Sequence, residues 1–299
     1  MKNAFIFLVL LGIAMANTPE TRILQARAGY VGCDVQYIHD WIDAREGCAG
    51  EAEVPVADFS SYLDDIDDDY ADLQEAADEG SRITFGAMSL ELGGDAVKLI
   101  GKIVEDALDH KNQAFFACIR EDEKPLMDVR DDCRYDAMQE EKGAAKDYVN
   151  EELDAANVLM ADLDAKGVDT SKMEAVIGKG EALVDDIDPG YESGDTSEIQ
   201  ALHLRHSRLV FLFRAEQIVA TIDYAEPIIE GGSNDNKDEI LERGRTLRDD
   251  IKELIDECGY SEDVEDNFQY SVQNAECWSE GFELYAEFNS IRTLILEGA

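Results

Sequence analysis

Apolar positions recur along this chain at intervals of three and four residues, the period of an α-helix. Ile240, Gly244, Leu247, Ile251, Leu254 and Cys258 form one such stripe, with Arg243, Arg245, Arg248, Asp249 and Asp250 mostly off it. Val176, Ile177, Gly180, Leu183, Val184 and Ile187 form a second, behind a capping box at Ser171-x-x-Glu174. Tyr148, Val149, Ala156, Leu159 and Leu163 form a third, closed by Gly167. Phe268, Ser271, Ala275, Trp278, Phe282, Tyr285 and Phe288 outline a long last helix. The segment from Glu198 to about Ala225 is apolar on most faces, follows a second box at Asp195-x-x-Glu198 and is expected to end at Pro227. A helix apolar nearly all round belongs at the centre of its bundle. Strand signals are weak: Arg82 to Leu92 alternates a little and is read as a loop or short helix. The pattern therefore predicts an all-α protein, an array of antiparallel helical bundles.

The N-terminus adds a compartment. Lys2, the apolar run Phe5 to Ile13 and the small-residue site Ala14-Met15-Ala16 read as a secretory signal peptide over 1–16. The run is too short for a membrane span, which needs roughly 20 apolar residues. A buried N-terminal strand or an uncleaved anchor is the competing reading. No transmembrane segment is expected after signal cleavage, because Leu209 to Phe213, the most apolar later stretch, is flanked by Arg208 and Arg214. The expected localisation is secreted, extracellular or cell-surface.

Six cysteines in an oxidising compartment predict three disulfides, drawn from Cys33, Cys48, Cys118, Cys133, Cys258 and Cys277. Pairing in sequence order, 33–48, 118–133 and 258–277, is the expected connectivity. Zinc is disfavoured because no C-x2-C occurs. The spacing also hints at duplication: Cys33-x14-Cys48 precedes Tyr62 and Gly80, and Cys118-x14-Cys133 precedes Tyr148 and Gly167. Chance spacing in an acidic helical chain is the alternative. The organisation expected is two related helical units, 17–112 and 113–230, and a C-terminal helical hairpin, 233–299, as a partial third unit, all disulfide-stapled. Gly231-Gly232-Ser233-Asn234 marks the last boundary.

Charge changes the picture most. Asp and Glu number 68 against 26 Lys and Arg, a net charge of −42. Such a surface repels nucleic acid and anionic headgroups and attracts cations and basic partners. The acid is spread along the chain, and 45% of residues are hydrophobic, which speaks for a folded acidic surface rather than disorder. Two regimes tolerate it: molar salt, where the Debye length falls to about 3 Å, or divalent-cation binding.

Two carboxylate groups are candidate metal ligands. Asp65, Asp67 and Asp69, within Asp64 to Asp69, have the D-x-D-x-D spacing of calcium loops, but Tyr70 and Ala76 stand where an EF-hand needs Gly and Glu. Asp186 and Asp188, with Glu192 and Asp195 around Pro189-Gly190, are expected in a turn where oxygens could converge. Calcium is the one cofactor in view; the competing reading is a solvated charged face. His203 and His206 share a helix face without H-E-x-x-H or Glu-x-x-His, so buried, hydrogen-bonded histidines are expected. Arg205, Arg208 and Arg214 are expected to pair with carboxylates of neighbouring helices. G-x-S-x-G, a P-loop and G-x-G-x-x-G are absent, so no catalytic residue is assigned and no enzyme is expected.

The stretch Leu163 to Asp195, with its KGVDTS turn and following amphipathic helix, resembles secreted helical proteins of archaea, most without an assigned activity. The resemblance covers about 35 residues and implies architecture and a taxonomic origin, not a reaction. The functional expectation is an exported, non-catalytic structural or interaction protein, with a protein partner or surface assembly and a high-salt setting. The alternative is an acidic, cation-binding exported protein.

Overall fold

In the computed structural model, which describes residues 19–109, 112–232, 236–261, 264 and 266–297, helices account for nearly everything. They are α1 (Pro19–Ala52), α2 (Ser60–Asp78), α3 (Arg82–Asp109), α4 (Gln113–Ala165), α5 (Ser171–Glu192), α6 (Thr196–Gly231), α7 (Lys237–Glu257) and α8 (Asn267–Glu297), with no strand among the described residues. The expected signal peptide lies outside them. The all-α prediction holds, and Arg82 to Leu92 is the first part of a long helix rather than a loop. Two compact units divide inside α4, Met1–Tyr148 and Val149–Ala299. The expected boundary at 112–113 falls between α3 and α4, and 233–299 contains α7 and α8.

The first unit has a core built on seven-residue steps, which return a helix to nearly the same face after two turns. Ala28, Val35 and Ile42 of α1 meet Ile66 and Leu73 of α2 and Phe85, Leu92 and Leu99 of α3. α1 and α2 approach closely at Gly32, where any Cβ would collide with the Tyr70 hydroxyl.

α1 also runs antiparallel to α4, and this overturns the expected cysteine pairing. The bridges are Cys33–Cys133 and Cys48–Cys118, with Cα separations of 5.9 and 5.7 Å; only Cys258–Cys277 joins sequence neighbours as expected. Cys33 and Cys48 lie on one continuous helix, where 15 residues span about 22 Å. A disulfide needs Cα atoms within about 7 Å. The same holds for Cys118 and Cys133 on α4. Equal spacing in the two helices is what two rungs between antiparallel partners require. Between and beyond the rungs, Arg22 meets Asp147 at 2.9 Å, Arg27 meets Glu141 at 2.8 Å, Arg134 meets Asp34, and the Arg130 guanidinium lies 4.8 Å from the Tyr37 ring centre.

The second unit centres on α6, which contacts α5, α7 and α8. This agrees with its all-round apolar character. It continues through Pro227 to Gly231 instead of stopping there. The predicted α7 stripe is buried along its whole length. On α8 the inward face is Tyr270, Asn274, Cys277 and Ile291, while Phe268 and Phe282 of the predicted stripe are exposed. Gly281 lets α8 close on α6, because a Cβ there would fall 2.6 Å from Phe211 Cε2. Gly167 ends α4 at φ +83°, with Val168 N–H donating to Leu163 O at 3.1 Å, the helix stop expected from the sequence.

The two bridges of the first unit are nested, with sequence separations of 100 and 70. With the inner bridge intact, the outer one still closes the 30-residue difference between those loops. Replacing Cys33 and Cys133 together by Ser is therefore expected to cost about 2–4 kcal/mol, read as a lower Tm by circular dichroism. An unchanged Tm would mean that the inner bridge and the side-chain contacts hold α1 to α4 without the outer one.

Candidate functional site

The sequence-predicted carboxylates do not form a common centre. Asp65, Asp67 and Asp69 all lie on α2, and at 100° per residue Asp67 points to the side opposite the other two. Asp65 is exposed. Asp67 meets His39 Nε2 at 2.8 Å. Asp69 is half-buried, and burial, then the neighbouring Asp95, push its carboxyl above the usual carboxylate range. Asp95 is in turn paired with Lys98. Asp186 and Asp188 sit in the last turns of α5, which continues through Pro189 to Glu192, so the expected turn is helix. Asp186 accepts from Arg205 Nη2 at 2.8 Å, and Asp188 is half-buried. Among the described residues, one trio of metal-type ligand atoms converges, Cys48, Cys118 and Asp122. Both sulfurs there are joined to each other and offer no thiolate.

Of the three arginines expected to pair with carboxylates, Arg205 alone does so among the described residues, and Arg214 is exposed. His203 Nε2 lies 3.1 Å from Tyr191 Oη and His206 Nε2 lies 3.6 Å from Glu152, both half-buried. Arg205 pairs with Asp186, as predicted. Among the described residues Arg208 has no carboxylate partner. It is 2% exposed and donates to Asn274 Oδ1 at 2.9 Å and to the carbonyl of Cys258 at 2.7 Å, over the Tyr270 ring. The negative end of α7 thus takes the place of an acid. In the first unit the buried Arg45, 1% exposed, is paired with Asp106 and lies over the Phe59 ring.

The concavity with chemical potential is in the second unit. A groove of about 490 Å³ lies between the start of α5, the second half of α6 and Lys252 of α7. The turn after α4 and the first residues of α5 form one wall, where Asp169 Oδ1 accepts from Ser171 N–H at 3.1 Å. This cap replaces the box expected from Ser171 and Glu174. Val168 and Met173 are buried beneath, against Leu163 and, more loosely, Phe213 and Ala220. Met173, Val219, Ala220, Tyr224, Pro227 and Ile228 give the groove its apolar surface.

Glu216 of α6 is the polar group that stands out there. It is 8% exposed, is flanked along α6 by the buried Ala215, Ile218 and Val219, and among the described residues has one ion-pair contact, 3.9 Å from Lys172 Nζ. That distance is too long for a hydrogen bond. Burial pushes its carboxyl above the ordinary value of 4.5; Lys172 and Lys252 pull it back and Asp256 adds to the rise. The other groove acids are committed: Asp169 to the cap, and Asp223 to Arg248 at 3.2 Å and Lys252 at 3.9 Å. Sequence reading passed over Glu216 because it is one of 68 acids; its one signal is a glutamate inside an apolar helix. Chemically the groove holds a desolvated acceptor beside hydrocarbon.

Comparison with protein-family models, with curated proteins and with solved structures gives no match to this chain. No helix among the described residues is long and apolar enough to cross a membrane.

A raised folded-state value means that the folded chain takes up a proton at Glu216 before the unfolded chain does, so stability from this site grows as pH falls. Glu216→Gln is expected to be more stable than the parent near pH 7, and the difference to fade as pH approaches about 4.5. Urea unfolding of both proteins across that interval measures it. A difference independent of pH would show that the carboxyl is solvated.

Proposed function

We propose that this is an exported, non-catalytic structural or interaction protein of the extracellular space or cell surface, adapted to high salt, that associates with a second copy of itself through α3. The observation that carries the reading is the outward face of α3. Leu90, Val97, Ile100 and Val104 recur there at helical spacing, with Leu90 at 81% and Val97 at 68% exposure. Gly86, Gly93, Gly94 and Gly101 have open space above them. Glu91, Asp95, Lys98, Lys102 and Glu105 lie on another sector of the helix, at 100° per residue. An uncharged face about 21 Å long (Leu90 to Val104 at 1.5 Å per residue) is unusual on a chain of charge −42.

A second copy is the partner that fits. Its own α3 offers the same uncharged strip, glycines permit close helix approach, and molar salt screens the acids on either side. Three disulfides support the exported part of the reading. The nearly charge-free contact is small beside a standard interface of about 1,600 Å², so association is expected in the micromolar range and to strengthen with salt.

Sedimentation equilibrium in about 2 M NaCl tests this. The oxidised protein is expected to dimerise, and Val97→Glu to remain monomeric with unchanged helix content. A parent protein that stays monomeric up to about 100 µM, or a Val97→Glu protein that dimerises equally, would overturn the α3 interface. Salt adaptation has its own test. Tm is expected to rise with molar NaCl and not to move when millimolar CaCl2 is added at matched ionic strength. A calcium-specific rise would favour the cation-binding reading, through linked binding to the folded state.

A further inference from the structure

We propose that the groove between α5, α6 and α7 is a binding site for an alkylammonium group, with Glu216 as the anchor for the cation. Glu216 is more than nine-tenths buried, yet nothing among the described residues lies within hydrogen-bond distance of its carboxyl; the nearest cation is Lys172 at 3.9 Å. Glu216 lines the groove, so a bound donor entering it would meet a carboxylate that its apolar neighbours have partly stripped of water. The space beside it, about 490 Å³, is within the range of small-molecule pockets. Its apolar walls, Met173, Val219 and Pro227, suit a hydrocarbon stem, and the Tyr224 ring offers a face that attracts cations.

Other ligand classes fit less well. A divalent metal ion such as calcium takes six to eight oxygens, and the groove has one uncommitted carboxylate, since Asp169 and Asp223 are engaged. An anion would meet three carboxylates, Asp169, Glu216 and Asp223, against two lysines, Lys172 and Lys252, a balance of charge that opposes it. An ammonium group would pair with the Glu216 carboxylate at the groove. The chain supplies a poor substitute in Lys172, which is 67% exposed and free to turn towards solvent. Lys172 is therefore an internal competitor for the site.

Two sources could present this chemistry, a free aliphatic amine or a lysine of another polypeptide, and both can be probed. Isothermal titration of the oxidised full chain is carried out in about 2 M NaCl, where generic attraction to the acidic surface is screened. The probes are n-hexylamine, 1-hexanol and N-acetyl-lysine amide. Hexylamine is expected to bind at one site per chain and hexanol about tenfold more weakly or not at all. Glu216→Gln, with its helix content verified, is expected to lose about tenfold in hexylamine affinity. Lys172→Ala, at an exposed position where folding is not at stake, is expected to gain about threefold. N-acetyl-lysine amide binding as tightly as hexylamine identifies a polypeptide lysine as the source, and weaker binding identifies a free amine. Equal affinity for hexanol, an unchanged affinity in either variant, or binding at many sites per chain would each overturn the proposal.

Discussion

Helices that carry a large excess of one charge can meet only where that charge is removed, cancelled or locked in place. With 68 acids and 26 Lys and Arg residues, this protein has too few cations to neutralise its surface, and many of its arginines stand where helices touch. Arg22, Arg27 and Arg134 sit along the α1–α4 pair, and Arg243, Arg245 and Arg248 line α7 against carboxylates of α6 and α8. The two buried guanidinium groups take the most demanding positions. Arg45 ties α1 to Asp106 at the far end of α3, and Arg208 ties α6 to the end of α7 and to Asn274 of α8. The α1–α2–α3 core is held chiefly by apolar burial, with the Arg45–Asp106 pair at its edge. Between α1 and α4, where Ala49 and Phe115 pack around Cys48, two covalent rungs accompany the ion pairs.

Helical periodicity made the elements legible. The α7 stripe, the glycine stop at Gly167 and the central place of α6 follow from spacing and hydropathy, which act within one helix and need no knowledge of the rest. The errors arise where a property depends on a distant partner. Local cysteine pairing assumed a bend between Cys33 and Cys48; nothing in those 15 residues breaks the helix, and the partner lies a hundred residues away. The aromatic spacing of α8 marked a face, but Tyr270, Asn274 and Cys277 define the buried one, because Arg208 and the third disulfide select it. Proline spacing predicts a helix end at 227 and a turn at 189, yet both helices continue through it.

Site chemistry was harder to read than fold, for a related reason. In a chain this acidic, clustering in sequence has little meaning: Asp65, Asp67 and Asp69 are close in number but radiate from one helix. What distinguishes a carboxylate is its surroundings. Glu216 is set apart by buried neighbours and by the commitments of Asp169 and Asp223, which come from three helices and a turn. Solitary acids within apolar helices are therefore better guides in such sequences than acidic runs.

The nested bridges of the first unit also fix how tension would travel through it. A pull applied to the backbone on either side of the outer bridge passes from Cys33 directly to Cys133 through the sulfur atoms. The intervening loop, which contains α2, α3 and most of the unit's apolar core, is bypassed. Under mechanical load α2 and α3 would keep their fold while the segments outside the bridge lengthen, so the stretch from Cys33 to Cys133 behaves as an inextensible link.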